Sequence, residues 1–295
     1  MHWSLRHCRS ASTKFVKRRF RHPRVVRCAR TARACLLLGP WRSPLATLHG
    51  RRRGRAQVEP GTHVIVCGRT AVDDAVLSTA LKDQGVASGI RVPDALCDAV
   101  MEFAEQRPQR RLWDPHRSCR AVDSIARDPM VLDVVTGYLG CRPVLRGTAL
   151  YWSYPPIGPN GRRWSIAQKS KFHFDVGDWR SVNLFVYLTD VDGDCGPHTV
   201  VPGTHHPTFR SLLKGRYTPD AEVEARFPGR TLQVLGPRGT AWFEDTVCLH
   251  KHAHGERLRV LLVACYGIRD VSTVQVVDES VWDTDVRRDW EAVTR

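Results

Sequence analysis

A histidine and an aspartate lie two residues apart in the segment Lys171-Phe172-His173-Phe174-Asp175. Side chains of an extended strand alternate between two faces, so His173 and Asp175 are expected to point to the same side. A second histidine, His250, lies far downstream and could complete a metal-binding face. Two histidines and one carboxylate are the ligand set of non-haem Fe(II) oxygenases. Arg259, nine residues after His250, could hold an acidic cosubstrate through a bidentate ion pair.

Other residues compete for two of these roles. His252 shares the strand parity of His250, so it is the alternative third ligand. Arg257 shares a strand face with Arg259 and is the alternative arginine for the cosubstrate. The apolar run that ends at Tyr266 begins directly after Arg259, and the pattern alone leaves the choice between the two arginines open. Three further histidines in turn-rich sequence are expected to be hydrogen-bonded or exposed rather than ligands: His198, His205 and His206.

Helical patterns come first along the chain, and strand patterns follow. Helices are predicted at 72–84, 93–106 and 128–139, the last beginning with an Asp-Pro pair and ending at Gly140. From residue 144 onward, short β-rich runs alternate with Gly, Pro and Asp clusters. This order predicts a mainly β domain, a sandwich or jelly roll, with N-terminal supporting helices. The predicted strands are 85–92, 144–154, 173–176, 181–189, 199–202, 231–235, 240–243 and 258–268.

The formal net charge of +15 resides in the N-terminal segment. Residues 1–58 contain 16 of the 45 Lys and Arg and none of the 30 Asp and Glu, which leaves a net charge of −1 for residues 59–295. Such an arginine-rich segment repels itself and buries little apolar surface, so disorder is predicted for it. Three interpretations are open: translation upstream of the true start, an organellar transit segment, or an arm that binds nucleic acid or a membrane.

Residues 59–295 are predicted to form one catalytic domain without the electrostatic footprint of a nucleic-acid binder. The ten cysteines show no Cys-x-x-Cys pair, which predicts reduced thiols and a cytoplasmic protein. A mitochondrial location is the alternative if the basic segment is a transit peptide. No apolar run approaches the roughly 18 residues of a membrane span. Phosphate-loop and Gly-x-Ser-x-Gly patterns are absent, which leaves an NTPase or a serine hydrolase without support.

A further pattern lies between the two candidate histidine ligands. Tyr187-Leu-Thr-Asp-Val191, Gly196-Pro-His198 and Val201-Pro-Gly-Thr-His205 follow one another in this order. Together with the His-x-Asp pair, the distant histidine and the arginine, these segments resemble the phytanoyl-CoA dioxygenase family. The resemblance covers roughly residues 80–270.

That resemblance implies a double-stranded β-helix (jelly roll) and an Fe(II)- and 2-oxoglutarate-dependent dioxygenase. It implies His173, Asp175 and His250 as the iron ligands. It also implies Arg259 as the partner of the distal 2-oxoglutarate carboxylate and Tyr187 as a neighbour of that cosubstrate. The expected reaction oxidises a small organic molecule with O₂ and converts 2-oxoglutarate to succinate. The retained Asp175 favours hydroxylation, because halogenating relatives carry a small residue there. A catalytically silent jelly-roll protein that keeps the ligand set is the alternative.

Overall fold

A computed structural model describes residues 41–54, 66–67, 74–107, 111–155, 171–175, 177–206, 217–252 and 255–270. The larger of its two sheets consists of β1 (Val66–Cys67), β2 (Val86–Arg91), β3 (Arg111–Trp113), β4 (Val144–Ser153), β6 (Ser181–Tyr187), β10 (Thr240–Glu244) and β12 (Arg259–Gly267). These seven strands lie in the order β1-β2-β10-β6-β12-β4-β3.

The smaller sheet carries the two candidate histidine ligands. Its strands are β5 (Phe172–His173), β7 (His198–Val200), β8 (Tyr217–Thr218), β9 (Leu232–Val234) and β11 (His250–His252). They lie in the order β8-β5-β11-β7-β9. Every described strand pairing is antiparallel. Val200 and Val234 of this sheet pack with Tyr187 and Leu261 of the larger one in a buried cluster. Two antiparallel sheets packed face to face form the predicted double-stranded β-helix.

Helices cover the outer face of the larger sheet. They are α1 (Arg42–Arg53), α2 (Asp74–Gln84), α3 (Asp94–Glu105), α4 (Arg120–Ala126) and α5 (Pro129–Leu139), while α6 (Asp220–Arg226) packs on the smaller sheet through Val223. Leu184 and Leu262 belong to the cluster formed with the helices. Their strand neighbours Phe185 and Leu261 belong to the inner cluster. The alternation of strand side chains therefore separates a supporting core from an interior that faces the smaller sheet.

The predicted elements are present, with their ends shifted by up to three residues. The three predicted helices correspond to α2, α3 and α5. Asp128 caps α5 by accepting a hydrogen bond from the Met130 N–H at 2.9 Å, and Gly140 ends it at a φ of 74°. The predicted strands correspond to β2, β4, β5, β6, β7, β9, β10 and β12. Val72 and Val176, at the ends of two predicted elements, lie outside the described residues. β1, β3, β8, β11, α4 and α6 were not predicted, because such short elements contain too few periods.

The prediction of disorder for residues 1–58 is wrong for residues 42–53. There α1 packs on the domain, with Ala46 in the core shared by the helices and the larger sheet. A Cβ added at Gly50 would lie 3.4 Å from the Cβ of Cys141, so the helix approaches its neighbour closely. A contact made through alanine and glycine leaves little trace in a hydrophobicity pattern. The folded unit thus includes residues that the predicted boundary at residue 58 placed outside it. Residues 1–40 and 55–58 lie outside the described residues.

Among the residues that the structure describes, no helix combines the length and the apolar composition that crossing a membrane requires. Six cysteines of the described ranges are free thiols, as their spacing predicted: Cys97, Cys119, Cys141, Cys195, Cys248 and Cys265.

Candidate metal centre

The strands β5 and β11 place two histidines side by side. His173 and His250 are direct partners in the antiparallel ladder, and their ring centroids are 4.4 Å apart. Asp175 follows β5, and its backbone N–H donates a hydrogen bond to the Thr246 carbonyl at 2.7 Å. Thr246 belongs to the loop that leads into β11. The same loop therefore positions both Asp175 and His250.

The ligand atoms of these three side chains converge. Asp175 Oδ2 lies 4.0 Å from His173 Nε2 and 3.7 Å from His250 Nε2. His173 Nδ1 donates to the Lys171 carbonyl at 3.0 Å, and His250 Nδ1 donates to the Cys248 carbonyl at 2.9 Å. Because a carbonyl can only accept, both Nδ1 atoms carry a proton, so Nε2 is the ring atom that each histidine can offer to a metal ion. Backbone partners that fix the tautomer are typical of metal-binding histidines.

The charges around His250 also favour a cation. Burial alone would lower the pKa of His250, but the carboxylates of Asp175 and Glu244 outweigh burial and raise this pKa to about 9. Glu244 Oε1 lies 3.6 Å from His250 Nδ1. The negative charges that stabilise the protonated ring would also stabilise a divalent cation, which would have to displace the proton from Nε2. The Asp175 side chain is 44% exposed, so the centre has an open side. The donor set fits Fe(II) held on one face by two imidazoles and one carboxylate.

The other candidate histidines lie outside this cluster of three. The Nδ1 atoms of His252 and His198 are 3.4 Å apart. His205 Nε2 donates to the Lys82 carbonyl at 3.1 Å. The structure therefore brings together the three predicted ligands and leaves the alternative ligand, His252, beside another histidine.

Arg259 begins β12 and is only 2% exposed. Its guanidinium donates to the Gly196 carbonyl and, at 3.1 Å, to Ser153 Oγ. Within the described part of the chain, its Nε has no partner and no carboxylate pairs with it. Burial lowers the pKa of Arg259, as expected for a desolvated cation. A buried cation without an acidic partner is costly, so this position fits an anionic ligand.

Arg257, the alternative, lies on the surface and already pairs with Asp192. Of the two arginines, Arg259 is therefore buried without a carboxylate partner among the described residues, whereas Arg257 is exposed and paired.

Tyr187 is buried beside Arg259. Its hydroxyl donates to the Val234 carbonyl at 3.0 Å and accepts from the His198 N–H at 2.9 Å. Burial raises the pKa of Tyr187 to about 12, although the charge of Arg259 acts in the opposite direction. Tyr187 is therefore a neutral phenol. Its hydroxyl links β7 and β9 of the smaller sheet to the larger sheet, which contains Arg259.

His198 and Glu244 form a buried pair that the sequence analysis missed. Both side chains are 0% exposed, and His198 Nε2 lies 2.7 Å from Glu244 Oε2. Trp242 Nε1 donates to the same oxygen at 3.2 Å. Burial lowers the pKa of His198. Burial alone would raise the pKa of Glu244, but His198, His250 and Trp242 outweigh it and lower this pKa. The pair is thus a carboxylate and a neutral imidazole. An acidic residue that ends the apolar run 240–243 was the available signal.

Comparisons with known proteins agree with the fold. No protein-family model matches the chain, and no curated protein matches it either. EctD from S. alaskensis, solved with 2-oxoglutarate and 5-hydroxyectoine, is 19% identical at a TM-score of 0.50, over 74% of this chain and 85% of that chain. The same protein solved with bound Fe is also 19% identical, with a TM-score of 0.50, over 73% of this chain and 83% of that chain. The epimerase SnoN in complex with Fe3+, alpha ketoglutarate and nogalamycin RO is 16% identical, with a TM-score of 0.50, over 65% of this chain and 82% of that chain. At such identities the similarity shows a shared fold.

Proposed function

We propose that this chain is an Fe(II)- and 2-oxoglutarate-dependent dioxygenase that hydroxylates a small organic molecule. The observation that carries the proposal is the convergence of one ligand atom each from His173, Asp175 and His250 within 4.8 Å. Three protein ligands on one face of a six-coordinate ion leave the other face for a chelating cosubstrate and O₂. Proteins of similar fold support the proposal, since EctD was solved with Fe and with 2-oxoglutarate, and SnoN with both Fe3+ and alpha ketoglutarate.

Arg259 is the proposed partner of the distal carboxylate of 2-oxoglutarate. Its guanidinium is buried, lacks an acidic partner among the described residues and has an unused Nε. The planar fork of arginine matches a carboxylate with two parallel hydrogen bonds, which a lysine would not provide. Tyr187 supports this position through its bonds to β7 and β9. When bound, iron would supply the oxidative chemistry, in which 2-oxoglutarate loses CO₂ to become succinate and one oxygen atom of O₂ enters succinate while the other hydroxylates the substrate.

We further propose that the chain belongs to the phytanoyl-CoA dioxygenase family, on the strength of the motif between Tyr187 and His205. The structure supports this by the location of the motif, since Tyr187 and His198 lie in the buried wall beside Arg259 and His250. Hydroxylation is the favoured outcome because Asp175 is retained at its ligand position. The name of the family does not define the substrate.

The test is anaerobic addition of Fe(II) and 2-oxoglutarate to the full chain. A weak visible charge-transfer band is expected from the 2-oxoglutarate chelate. The His173→Ala variant is expected to lose the band, and the matched His252→Ala variant is expected to keep it. Admission of O₂ should then produce succinate.

Two results would contradict parts of this proposal. Metal binding without the band would remove the cosubstrate and the dioxygenase activity. A band that gives no succinate on exposure to O₂, with or without candidate substrates, would indicate a protein that binds both ligands but does not turn over.

A further inference from the structure

The first residue of α1, Arg42, reaches into the loop that precedes β11. Its Nη2 pairs with Asp245 Oδ2 at 3.2 Å, and the Asp245 side chain is 0% exposed while that of Arg42 is 16% exposed. Its Nη1 donates to the His205 carbonyl at 3.3 Å, and its Nε donates to the Trp179 carbonyl. One guanidinium therefore joins three segments that are far apart in the sequence. This is unlike an exposed surface ion pair, which contributes little.

Asp245 depends on Arg42 for its only cationic partner among the described residues. Its Oδ2 also accepts from the Tyr138 hydroxyl at 2.6 Å, and its Oδ1 accepts from the Val247 N–H at 3.0 Å. Both of these donors are neutral. Removing the cation from a buried, paired carboxylate leaves an uncompensated charge, which strongly favours rearrangement toward water.

The loop that Asp245 opens supplies the backbone groups that orient two metal ligands. The Thr246 carbonyl accepts the N–H of Asp175 at 2.7 Å. The Cys248 carbonyl accepts from His250 Nδ1 at 2.9 Å, and the Cys248 N–H donates back to the Asp245 carbonyl at 2.8 Å. A shift of this loop would therefore displace Asp175 and His250 relative to each other.

We propose that Arg42 is a positioning residue for the metal centre. By neutralising Asp245, it holds the loop in the conformation in which the carbonyls of Thr246 and Cys248 orient two ligands. The basic helix α1 would then contribute to the geometry of the proposed metal centre. The inference rests on the proposed function, because the ligands it concerns are those of the proposed metal centre.

The test measures Co(II) affinity and the Co(II) ligand-field spectrum of full-chain variants, at a temperature where circular dichroism shows each to be folded. Arg42→Ala is expected to weaken Co(II) binding about tenfold or more, as loss of groups that orient metal ligands does. Arg42→Lys is expected to have a Co(II) affinity between those of wild type and Arg42→Ala. An ammonium group can pair with Asp245 but cannot reach all three acceptors. Should Arg42→Ala fail to fold, Arg42→Lys takes its place in each comparison.

Two variants of the same helix separate positioning from simple docking. His49→Ala removes the bond from His49 Nε2 to the Ile268 carbonyl, 3.0 Å long, which loosens α1 without touching Asp245. It is expected to lower the melting temperature and to leave Co(II) affinity unchanged. Arg52→Ala changes an exposed arginine and is expected to change neither.

A double variant tests whether the negative charge of Asp245 is what makes Arg42 necessary. In Arg42→Ala/Asp245→Asn, the amide still accepts from Tyr138 and Val247 but needs no cation, so part of the lost Co(II) affinity should return. Unchanged Co(II) affinity in folded Arg42→Ala, an equal loss in His49→Ala, or no recovery in the double variant would each overturn the positioning role. A wild-type chain that binds no Co(II) would remove the metal centre as well, whereas normal binding by both wild type and Arg42→Ala would remove only this role.

Discussion

Replacing His198 by leucine removes the donor that faces a carboxylate in the protein interior. His198 Nε2 and Glu244 Oε2 are 2.7 Å apart, and neither side chain is exposed. Two donors then remain near Glu244. The Trp242 Nε1–H lies at 3.2 Å, and His250 Nδ1 lies at 3.6 Å but already donates to the Cys248 carbonyl. In His198→Leu, the buried carboxylate of Glu244 would thus keep one full hydrogen bond, the one from Trp242.

The expected cost follows from this count. Leaving a buried charged group without a hydrogen-bond partner costs more than the roughly 1–3 kcal/mol of a neutral group, and breaking a buried ion pair costs about 3–5 kcal/mol. We expect the lower end, about 3 kcal/mol, because His198 is neutral and the Trp242 bond remains. For domains of about 150–250 residues, each kcal/mol shifts Tm by about 2–4 °C, so a decrease of about 6–12 °C is expected.

The assay is urea unfolding of the full chain in the presence of a chelator, so that metal binding does not contribute. The cycle uses His198→Leu, Glu244→Leu and the double variant. Replacing both partners by apolar residues of similar size is often nearly neutral, so the double variant should be more stable than the sum of the single losses predicts. A loss below about 1 kcal/mol in His198→Leu, or strictly additive losses, would show that this pair does not stabilise the interior as argued.

Two further predictions concern single side chains. Arg259→Ala should raise the 2-oxoglutarate concentration needed for the charge-transfer band at least about thirtyfold, because removing one partner of a buried charge pair costs about 2–5 kcal/mol. Arg257→Ala should leave that concentration unchanged, and the reverse result would exchange their assignments. Asp128→Ala should lower the free energy of unfolding by about 1 kcal/mol, since its carboxylate accepts from the first turn of α5 at 2.9 Å. Asp133→Ala, later in the same helix, is the control, and equal losses would argue against a capping effect.

The parts that the sequence predicted are those with local signals. The helices α3 and α5 have periodic apolar residues and recognisable first turns, and β12 has a long apolar run. His173 and Asp175 could be assigned to one site because metal binding restricts residue types and a strand restricts spacing. His250 required the resemblance to a known family, because nothing local distinguishes it from His252.

The parts that the sequence did not predict depend on contacts between distant segments. His198 and Glu244 come from β7 and β10, which lie in different sheets. The helix α1 has a buried side that consists of Ala46 and Gly50, while most of its other residues are exposed. The groups that orient the candidate metal ligands are backbone carbonyls of Lys171, Thr246 and Cys248, and any residue type can supply a carbonyl.

Glu244 and Asp245 show how these unpredicted contacts support the predicted ones. Glu244 is the last residue of β10 and Asp245 follows it directly, so their side chains point to opposite faces of the sheet. Glu244 faces the interior, where it pairs with His198 next to His250. Asp245 faces the helices, where it binds Arg42 and the Tyr138 hydroxyl. Buried carboxylates on both faces of the sheet therefore flank the start of the loop to His250, and each of them pairs with a group from a distant segment. If His173, Asp175 and His250 bind the metal as proposed, their geometry would then depend on α1 and on β7, although neither element contains one of the three residues.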